Sequence, residues 1–555
     1  MSAVNELAQE FLDLHFEHQP MAPLLLGLGI QEKQLPDFGA EAGYRARYVE
    51  LGRRVEAAEA ESAEEEVTRL ALIDFARSEV AKIDARVTDF SVSDMQVGPA
   101  QHLLLTLPVP SVADEAGARA HLDRLREVPA YLDAAITRHR AGLSDGLRAP
   151  EFLVDAGIAG MERYLDAPED DPLRLSPGVE LPGYAEEQDR LLAEVVRPAF
   201  QRYHDFLVSE LKPGARGPDQ PGLCWQPGGK ERYASLARVY TTTDRTPEEL
   251  HATGLEMIAK LADEYRELGA RVFGTEDLPE IFRRLREDPK LRWRDGEELL
   301  DAARAAIRRA EAVAPQWFGR IPEQVCEVTS IPESEAAGGT IAYYIQPPLD
   351  GSRPGVYYAN THRAEERPRH TSEAIAFHEA IPGHHFQLCT ALGLDHLPLV
   401  RRIMAVDSYL EGWGLYTERL ADEMGLYSDD VSRLGMLTQD SMRAGRLVVD
   451  TGMHALGWSR QRAVDFLVEH TPMARLEIEL EIDRYAGCPG QALAYMVGRL
   501  EIQRLRADAE RSLGERFDIR AFHDVVLGAG IVPLPVLEHV VRTWVAEAGS
   551  TGPRG

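Results

Sequence analysis

The sequence has no long apolar stretch. No run approaches the roughly 18 apolar residues that a membrane-spanning helix needs, so we do not expect a membrane protein. The opening stretch, MSAVNELAQEFLDLHFEHQP, carries acids, lacks the basic segment of a secretory signal and shows helical apolar spacing. Cysteine is scarce too, and the four cysteines form no C-x-x-C pair. Together these absences predict a cytoplasmic protein with reduced thiols.

Basic residues are fewer than acidic ones. The chain has 61 Lys and Arg against 91 Asp and Glu, a formal net charge of −30 over 555 residues. Such a surface repels phosphate backbones and anionic lipids. We therefore expect neither nucleic acid nor a membrane surface as a partner.

Strand-like sequence is also scarce, and most of the chain shows the apolar periodicity of helices. One helix start is clearly marked, with Thr246 at the N-cap, Pro247 at the first helical position and Glu249 completing a capping box. The β-type runs lie in residues 324–361. There TIAYYIQ and GVYYANT flank a turn-rich segment and predict a hairpin or small sheet.

The segment AFHEAIPGHHFQ, residues 376–387, carries the strongest chemical signal. In H-E-x-x-H zinc sites, histidines four residues apart bind the metal from one helical face, and the glutamate takes a proton from water. Here His378 and Glu379 start the pattern. The position four residues beyond His378 is Pro382, and two histidines follow at 384 and 385.

Pro382 controls which histidine comes second. Proline lacks an N–H and clashes with the carbonyl four residues back, so the helix must be interrupted. In an unbroken helix His384 would lie about 120° around from His378 and about 9 Å along the axis, too far to share an ion. A bulge absorbing two residues brings His384 into place, and one absorbing three brings His385. We favour His384; the other interpretation is surface or capping histidines without metal.

Glu411 is the predicted third ligand. It lies in the apolar, aromatic segment SYLEGWGLYTERLADEMG, where an acid is unfavourable unless it is paired or bound to metal. Two imidazoles and one carboxylate favour a single zinc ion, although manganese or cobalt could replace it. Glu418 lies seven residues on and could accept a hydrogen bond from a ligand histidine. A solvated charge beside Arg419 is the favoured interpretation of Glu418.

Two later segments supply further candidates. In RLVVDTGMHALGW, Arg446, Asp450 and His454 share one helical face, and the apolar residues around them predict that this face lines a cavity. Arg446 and Asp450 are candidate substrate contacts. His454 is a candidate oxyanion donor, with Asp450 able to orient it. A solvent-facing ladder of ion pairs is the alternative.

The segment DRYAGCPGQALAYMVG carries Arg484, Tyr485, Gln491 and Tyr495. A tyrosine hydroxyl is suited to polarising a scissile carbonyl, so both tyrosines are candidate catalytic residues. Arginine is suited to a C-terminal carboxylate, and Arg484 and Gln491 are candidate substrate contacts. Each of the four residues taken alone is more often structural.

Five motifs carry a family resemblance: HEAIPGHHFQ, YLEGWGLYTERL, PPLDGSRPGVYYANT, RLVVDTGMHALGWSRQRAVDFL and EIDRYAGCPGQALAYMVGRLEIQRLR. They resemble the bacterial family called domain of unknown function 885, over residues 20–545. That family resembles the helical gluzincin peptidases, such as thimet oligopeptidase, neurolysin and the thermostable carboxypeptidases. The resemblance implies a mostly α, two-lobed metallopeptidase-like fold, with zinc at the floor of a deep channel. The Pro-Gly insertion departs from those peptidases.

The Pro/Gly-rich stretch LKPGARGPDQPGLCWQPGGKER, from Leu211, is the candidate boundary between an N-terminal helical part and the rest of the chain. With the resemblance, residues 1–210 would form the N-terminal helical part of the channel, and residues 211–555 the catalytic part. The latter would hold the small sheet at 324–361, the metal-binding helices at 370–424 and the C-terminal helices, all in one continuous fold unit. AGGTIAYYIQPP resembles the edge strand that gluzincins present to an extended substrate, which makes Tyr343 a candidate substrate contact. An ordinary hairpin over the core is the alternative.

The leading functional hypothesis is zinc-dependent hydrolysis of peptide bonds in short peptides, with Glu379 as general base. One alternative keeps the metal but changes the substrate, giving an amidase or hydrolase of a specialised small metabolite. Another is a helical binding protein with a relic metal site.

Overall fold

Helices dominate the structure, a computed structural model that describes residues 2–28, 35–95, 97–110, 112–332, 341–349, 351 and 353–550. None of the helices in these ranges has the length and apolarity that crossing a membrane requires. The helices are α1 (Ala3–His18), α2 (Met21–Leu25), α3 (Glu41–Ala57), α4 (Ala63–Ala85), α5 (Pro99–Thr106), α6 (Glu115–Ser144), α7 (Glu151–Asp166), α8 (Tyr184–Leu191), α9 (Arg197–Phe206), α10 (Gly229–Thr241), α11 (Pro247–Phe273), α12 (Leu278–Glu287), α13 (Gly296–Val313), α14 (Ser372–Glu379), α15 (His384–Leu392), α16 (Val400–Ile403), α17 (Asp407–Glu423), α18 (Asp430–His454), α19 (Arg460–His470), α20 (Arg475–Gly487), α21 (Ala494–Leu513), α22 (Ile519–Gly528) and α23 (Leu534–Ser550).

The start of α11 shows how local sequence sets an element. The Thr246 hydroxyl accepts a hydrogen bond from the Glu249 N–H at 3.2 Å, and the Glu249 carboxylate accepts one from the Thr246 N–H at 2.8 Å. The predicted capping box is therefore confirmed. It satisfies N–H groups that a helix start otherwise leaves unpaired.

A small sheet precedes the histidine motif. Its strands are β1 (Cys326–Ser330), β2 (Ala342–Ile345) and β3 (Gly355–Ala359), in the order β1-β3-β2. The predicted hairpin is confirmed, because β2 and β3 pair antiparallel. The parallel pairing of β1 with β3 was not predicted. Part of the predicted edge strand, at 337–340, lies outside the described residues.

Two large hydrophobic cores hold the helices. The main core joins α1, α3 and α4 to α10–α13, the sheet and the C-terminal helices. The second core is built from α5–α9 and ends at Leu211, where the Pro/Gly-rich segment begins. Residues 1–210 therefore contribute helices to both cores, and the predicted boundary at residue 210 does not coincide with the division between them. The histidine motif belongs to the main core.

Glycines allow close packing between α17 and α21. A Cβ added to Gly412 would lie 2.5 Å from the Gly498 Cα, so only glycine fits at this crossing. The two backbones therefore approach closely. This approach brings Glu411 on α17 near Tyr495 on α21.

Candidate metal centre

The histidine motif forms two helices joined by a tight connection. The predicted interruption is confirmed: α14 ends at Glu379, and α15 begins at His384. A Cβ on Gly383 would lie 1.8 Å from the His378 carbonyl oxygen, so glycine is required where the chain folds back. The Trp413 indole N–H donates to the Pro382 carbonyl at 2.9 Å and ties the connection to α17.

The connection brings His384 beside His378, and α17 brings Glu411 to both. Oε2 of Glu411 lies 3.4 Å from Nε2 of His378 and 3.4 Å from Nε2 of His384. The two rings are nearly perpendicular, at 88°, with centroids 4.7 Å apart. The structure therefore assembles the three residues predicted as metal ligands, and their ligand atoms all lie within 4.8 Å of one another.

His385 lies in a different environment. Its Nδ1 accepts a hydrogen bond from the Tyr344 hydroxyl at 2.9 Å, and its Nε2–H donates to the Gln324 carbonyl at 2.9 Å. The ring is fully buried, and burial lowers its pKa. Between the two histidines considered from the sequence, the fold places His384 in the cluster and uses His385 to join α15 to the sheet.

Glu418 lies behind His378. Its side chain is buried, and Oε1 accepts a hydrogen bond from the His378 Nδ1–H at 2.8 Å. The interpretation of Glu418 as a solvated charge is therefore wrong. Two helical turns separate Glu411 and Glu418 and place both on one face of α17. The bond directs Nε2 of His378 toward Glu411, as expected for the outer partner of a metal ligand.

The electrostatics of the cluster favour positive charge at its centre. Burial alone would lower the pKa of His378, but hydrogen bonds to Glu411 and Glu418 outweigh it and raise that pKa to about 9. Burial alone would raise the pKa of Glu411, but the two histidines hold that pKa well below its usual value. The carboxylate is thus ionised in a deep site, where a charge needs a partner.

The donor set fits zinc. A tetrahedral ion with bonds of about 2.1 Å separates its ligand atoms by about 3.4 Å, and both distances from Glu411 are 3.4 Å. With these three residues as ligands, a bound zinc ion would have a fourth position open, as in catalytic zinc sites. The Glu411 side chain is 23% exposed, so water can reach the cluster.

Glu379 is the last residue of α14 and is half-buried. Within the described part of the chain its carboxylate makes no hydrogen bond or ion pair. Tyr357 on β3 has a raised pKa, caused first by burial and then by the nearby Glu379 charge. The Glu379 charge also acts on His378. An unengaged carboxylate therefore lies between the cluster and the sheet.

Several predicted substrate residues form an arginine cluster, which we define as Arg446, Glu481, Arg484, Tyr485 and Gln491. Glu481 accepts from Arg446 at 2.9 Å and from Arg484 at 3.0 Å, and it also accepts from the Tyr485 hydroxyl. Arg446 donates to the Tyr485 hydroxyl at 2.8 Å, and Arg484 donates to Gln491 at 2.9 Å. Sequence reasoning missed Glu481, although its place one turn before Tyr485 was a usable signal.

Tyr495 lies between this cluster and the metal residues. The guanidinium carbon of Arg446 is 4.4 Å from the centre of its ring, and that of Arg443 is 5.7 Å away. Burial, followed by the Glu411 charge, raises the pKa of Tyr495 to about 12. Among the described residues nothing hydrogen-bonds to its hydroxyl. Sequence reasoning did not single out Arg443.

His454 and Asp450 have structural contacts. Nδ1 of His454 accepts from the Leu223 N–H at 3.1 Å, and its Nε2–H donates to the Tyr485 carbonyl at 3.0 Å. Asp450 accepts from the Tyr233 hydroxyl and from the Gly490 N–H. The predicted oxyanion donor at His454 and the predicted Asp450–His454 pair are therefore wrong. Both ring nitrogens are already bonded, and Asp450 faces other groups.

Tyr343 lies on β2, which is an edge of the sheet among the described strands. Its ring stacks on that of Tyr358 with centroids 5.0 Å apart. The position agrees with the predicted edge strand, and contact with a substrate stays a prediction.

Comparison with known proteins shows which family the chain belongs to. It matches the family described as "Bacterial protein of unknown function (DUF885)" over residues 20–541 and belongs to it. It is 26% identical to a Colwellia psychrerythraea protein described as a "putative lipoprotein"; the match covers 98% of this chain and 100% of that one, with a TM-score of 0.90. A similarly described Shewanella oneidensis protein is 17% identical, with a TM-score of 0.75 over 97% and 99% of the two chains, and shares the fold. No curated protein matches.

Proposed function

We propose that this protein is a zinc-dependent hydrolase of peptide bonds in short peptides. The observation that carries the proposal is the convergence of His378, His384 and Glu411, with Glu418 behind one ligand and the unengaged Glu379 beside the cluster. A purely structural zinc site would close the coordination shell with a fourth protein ligand.

The Nε2 atoms of the two histidines and the Glu411 carboxylate would hold the ion. Bound zinc supplies a Lewis acid that polarises a carbonyl and makes water more acidic. Glu379 accepts the proton of the attacking water and passes it to the departing amine. Its place directly after His378 keeps it next to the reacting atoms whichever way α15 is oriented.

Tyr495 is the proposed donor to the carbonyl oxygen, where negative charge develops. Its hydroxyl has no partner among the described residues and lies near Glu411. Tyr485 is less suited, because its hydroxyl already donates to Glu481 and accepts from Arg446.

The proposed architecture is a two-lobed, metallopeptidase-like helical fold around a deep channel. Two separate hydrophobic cores support it. Water-accessible side chains near the metal residues support it as well: the Lys82 side chain on α4 is 44% exposed and lies close enough to interact with the charge of Asp407, one turn before Glu411. An enclosed channel favours oligopeptides over folded proteins.

The test is a mixed peptide library incubated with purified, zinc-loaded protein and followed by mass spectrometry. We expect cleavage by the wild type and a loss of at least about 10³-fold in Glu379→Gln, within the range for general acid–base catalysis, with zinc retained. The matched control is Glu373→Gln on the same helix, since that carboxylate pairs with Arg309 away from the cluster.

Two outcomes would contradict the proposal. Failure of the metal-loaded wild type to cleave any peptide would contradict the activity. Wild-type turnover by metal-loaded Glu379→Gln would contradict the role of Glu379 as base.

We keep the cytoplasm as the proposed location. The four cysteines are all free, which suits a reducing compartment. The description of two structural relatives as lipoproteins favours a location outside the cytoplasm instead. Cell fractionation with the full chain distinguishes the two.

A further inference from the structure

Positive charge is in excess around Tyr495. The Glu411 carboxylate and three arginines, Arg446, Arg484 and Arg443, all act on its phenol. A second carboxylate, Glu481, pairs with two of the arginines. Arg443 has no ion-pair partner among the described residues, and its side chain donates a hydrogen bond to the neutral amide of Gln439. The imbalance is local, because the chain as a whole carries a net charge of −30.

Hydrogen-bond donors are also left over at the same place. Nε of Arg443 and Nη1 of Arg446 are buried and have no acceptor among the described residues. The two residues are 8% and 5% exposed. Buried donors without acceptors are unfavourable, and charged ones more so. Both guanidinium groups lie over the Tyr495 ring, so two charged donors without an acceptor in the described structure meet at one place.

We propose that Arg443 and Arg446, which lie over the Tyr495 ring, form a subsite that binds a carboxylate of the peptide substrate. The guanidinium group offers planar, paired N–H donors that match a carboxylate, and its charge strengthens each bond. An anion bound there supplies both the missing charge and the missing acceptor. That the carboxylate belongs to a peptide rests on the function proposed above.

The position of the subsite predicts where a substrate is cut. Tyr495 lies between the arginines and Glu411, and the Gly412–Gly498 crossing brings α17 and α21 into close contact. A C-terminal carboxylate held by the arginines therefore places a nearby peptide bond at the metal residues. We expect release of short C-terminal segments.

The test measures peptide binding to zinc-loaded Glu379→Gln by calorimetry, so that turnover does not interfere. Three peptides are compared: tetra-alanine with a free carboxylate, tetra-alanine amide, and the amide with aspartate as its last residue. We expect the free acid to bind about 10- to 100-fold more tightly than the amide, the range for hydrogen bonds to a charged group. Tight binding of the aspartyl amide would assign a side-chain carboxylate as the ligand instead.

The decisive variant is Arg443→Gln in the same background. Arg443 makes no ion pair in the described structure, so its replacement leaves the Arg446–Glu481 contacts in place. The preference for the carboxylate peptide should fall to near unity. Arg433→Gln is the matched control, because Arg433 lies on the same helix but pairs with Asp422 at the surface, and it should keep the preference. If Arg443→Gln does not fold, Arg443→Lys keeps the charge, lacks the planar fork, and should show a reduced preference.

The outcomes separate the two proposals. Equal affinity for all three peptides, or an unchanged preference in Arg443→Gln, overturns the subsite even if peptides are hydrolysed. A carboxylate preference that depends on Arg443, in a protein whose wild type cleaves no peptide, supports the subsite and overturns the hydrolase. If no peptide binds at all, both fail.

Discussion

The metal centre and the arginine cluster are both polar, but they suit ligands of opposite charge. The metal centre gathers two imidazoles and the carboxylates of Glu411 and Glu418, so it is rich in acceptors and suits a cation. The arginine cluster and its neighbour Arg443 are rich in donors and suit an anion. The side chains at each place thus indicate the class of ligand expected there.

The two regions also differ in what holds them. Backbone contacts fix the metal centre: the Gly383 connection sets His384, and Trp413 anchors that connection to α17. Ion pairs among its own members hold the arginine cluster, with Glu481 between two guanidinium groups. Loss of a metal ligand should therefore weaken metal binding more than it destabilises the fold. Loss of Glu481 should mainly destabilise the fold, because the buried guanidinium of Arg446 would be left unpaired.

The largest expected effect concerns the metal ligands. His378→Ala, His384→Ala and Glu411→Ala should each abolish stoichiometric zinc binding, measured by elemental analysis of purified protein. His385→Ala is the matched control, since that ring bonds to Tyr344 and Gln324 instead, and it should keep the metal. Full zinc occupancy in His384→Ala would remove that histidine from the ligand set.

The next effect separates the two tyrosines. Tyr495→Phe should lower kcat by about 10²-fold, the size typical of losing one oxyanion donor, with zinc retained. Tyr485→Phe should leave kcat nearly unchanged and reduce stability instead, because its hydroxyl lies between Arg446 and Glu481. A large loss of kcat in Tyr485→Phe, with kcat nearly unchanged in Tyr495→Phe, would assign the oxyanion donor to the arginine cluster.

Local features could be predicted from the sequence. The helices, the capping box at Thr246, the β2–β3 hairpin and the interruption at Pro382 depend on neighbouring residues, whose spacing is visible in the chain. The choice of His384 over His385 followed from helix geometry. These predictions concern contacts within a few residues, apart from the hairpin, whose two strands are joined by one turn-rich segment.

Features that depend on which face the fold buries were missed. Glu418 was interpreted as solvated because Arg419 is its neighbour in sequence, yet Arg419 pairs with Glu264 and Asp440, while Glu418 faces His378. His454 was placed in the reaction because it shares a face with Arg446. The backbone groups that bond to its ring come from elements that the sequence does not position.

The smallest effect compares two carboxylates, the partly exposed Glu411 in the metal centre and the buried Asp450 one turn beyond Arg446. The histidines hold the pKa of Glu411 low, whereas burial raises the pKa of Asp450 to about 7 despite hydrogen bonds from Tyr233 and Gly490. Unfolded aspartate titrates at about 3.9. Between about pH 4 and 7 the folded protein therefore holds more protons than the unfolded chain, and stability falls as pH rises, by no more than about 1.4 kcal/mol per pH unit.

Asp450→Asn tests this sign, because asparagine keeps an acceptor for Tyr233 and Gly490 but does not ionise. Urea unfolding of both proteins measures their stability across this pH range. The stability of the variant relative to wild type should rise as pH increases toward 7. Above that pH it should level off, because Asp450 is then ionised in both the folded and the unfolded wild type. At each pH the variant should bind zinc as tightly as the wild type does. A difference that stays constant from pH 4 to 7 would mean that Asp450 is as ionised in the fold as in the unfolded chain. The pKa values of Glu411 in the metal centre and Asp450 beside the arginines would then not be shifted in opposite directions.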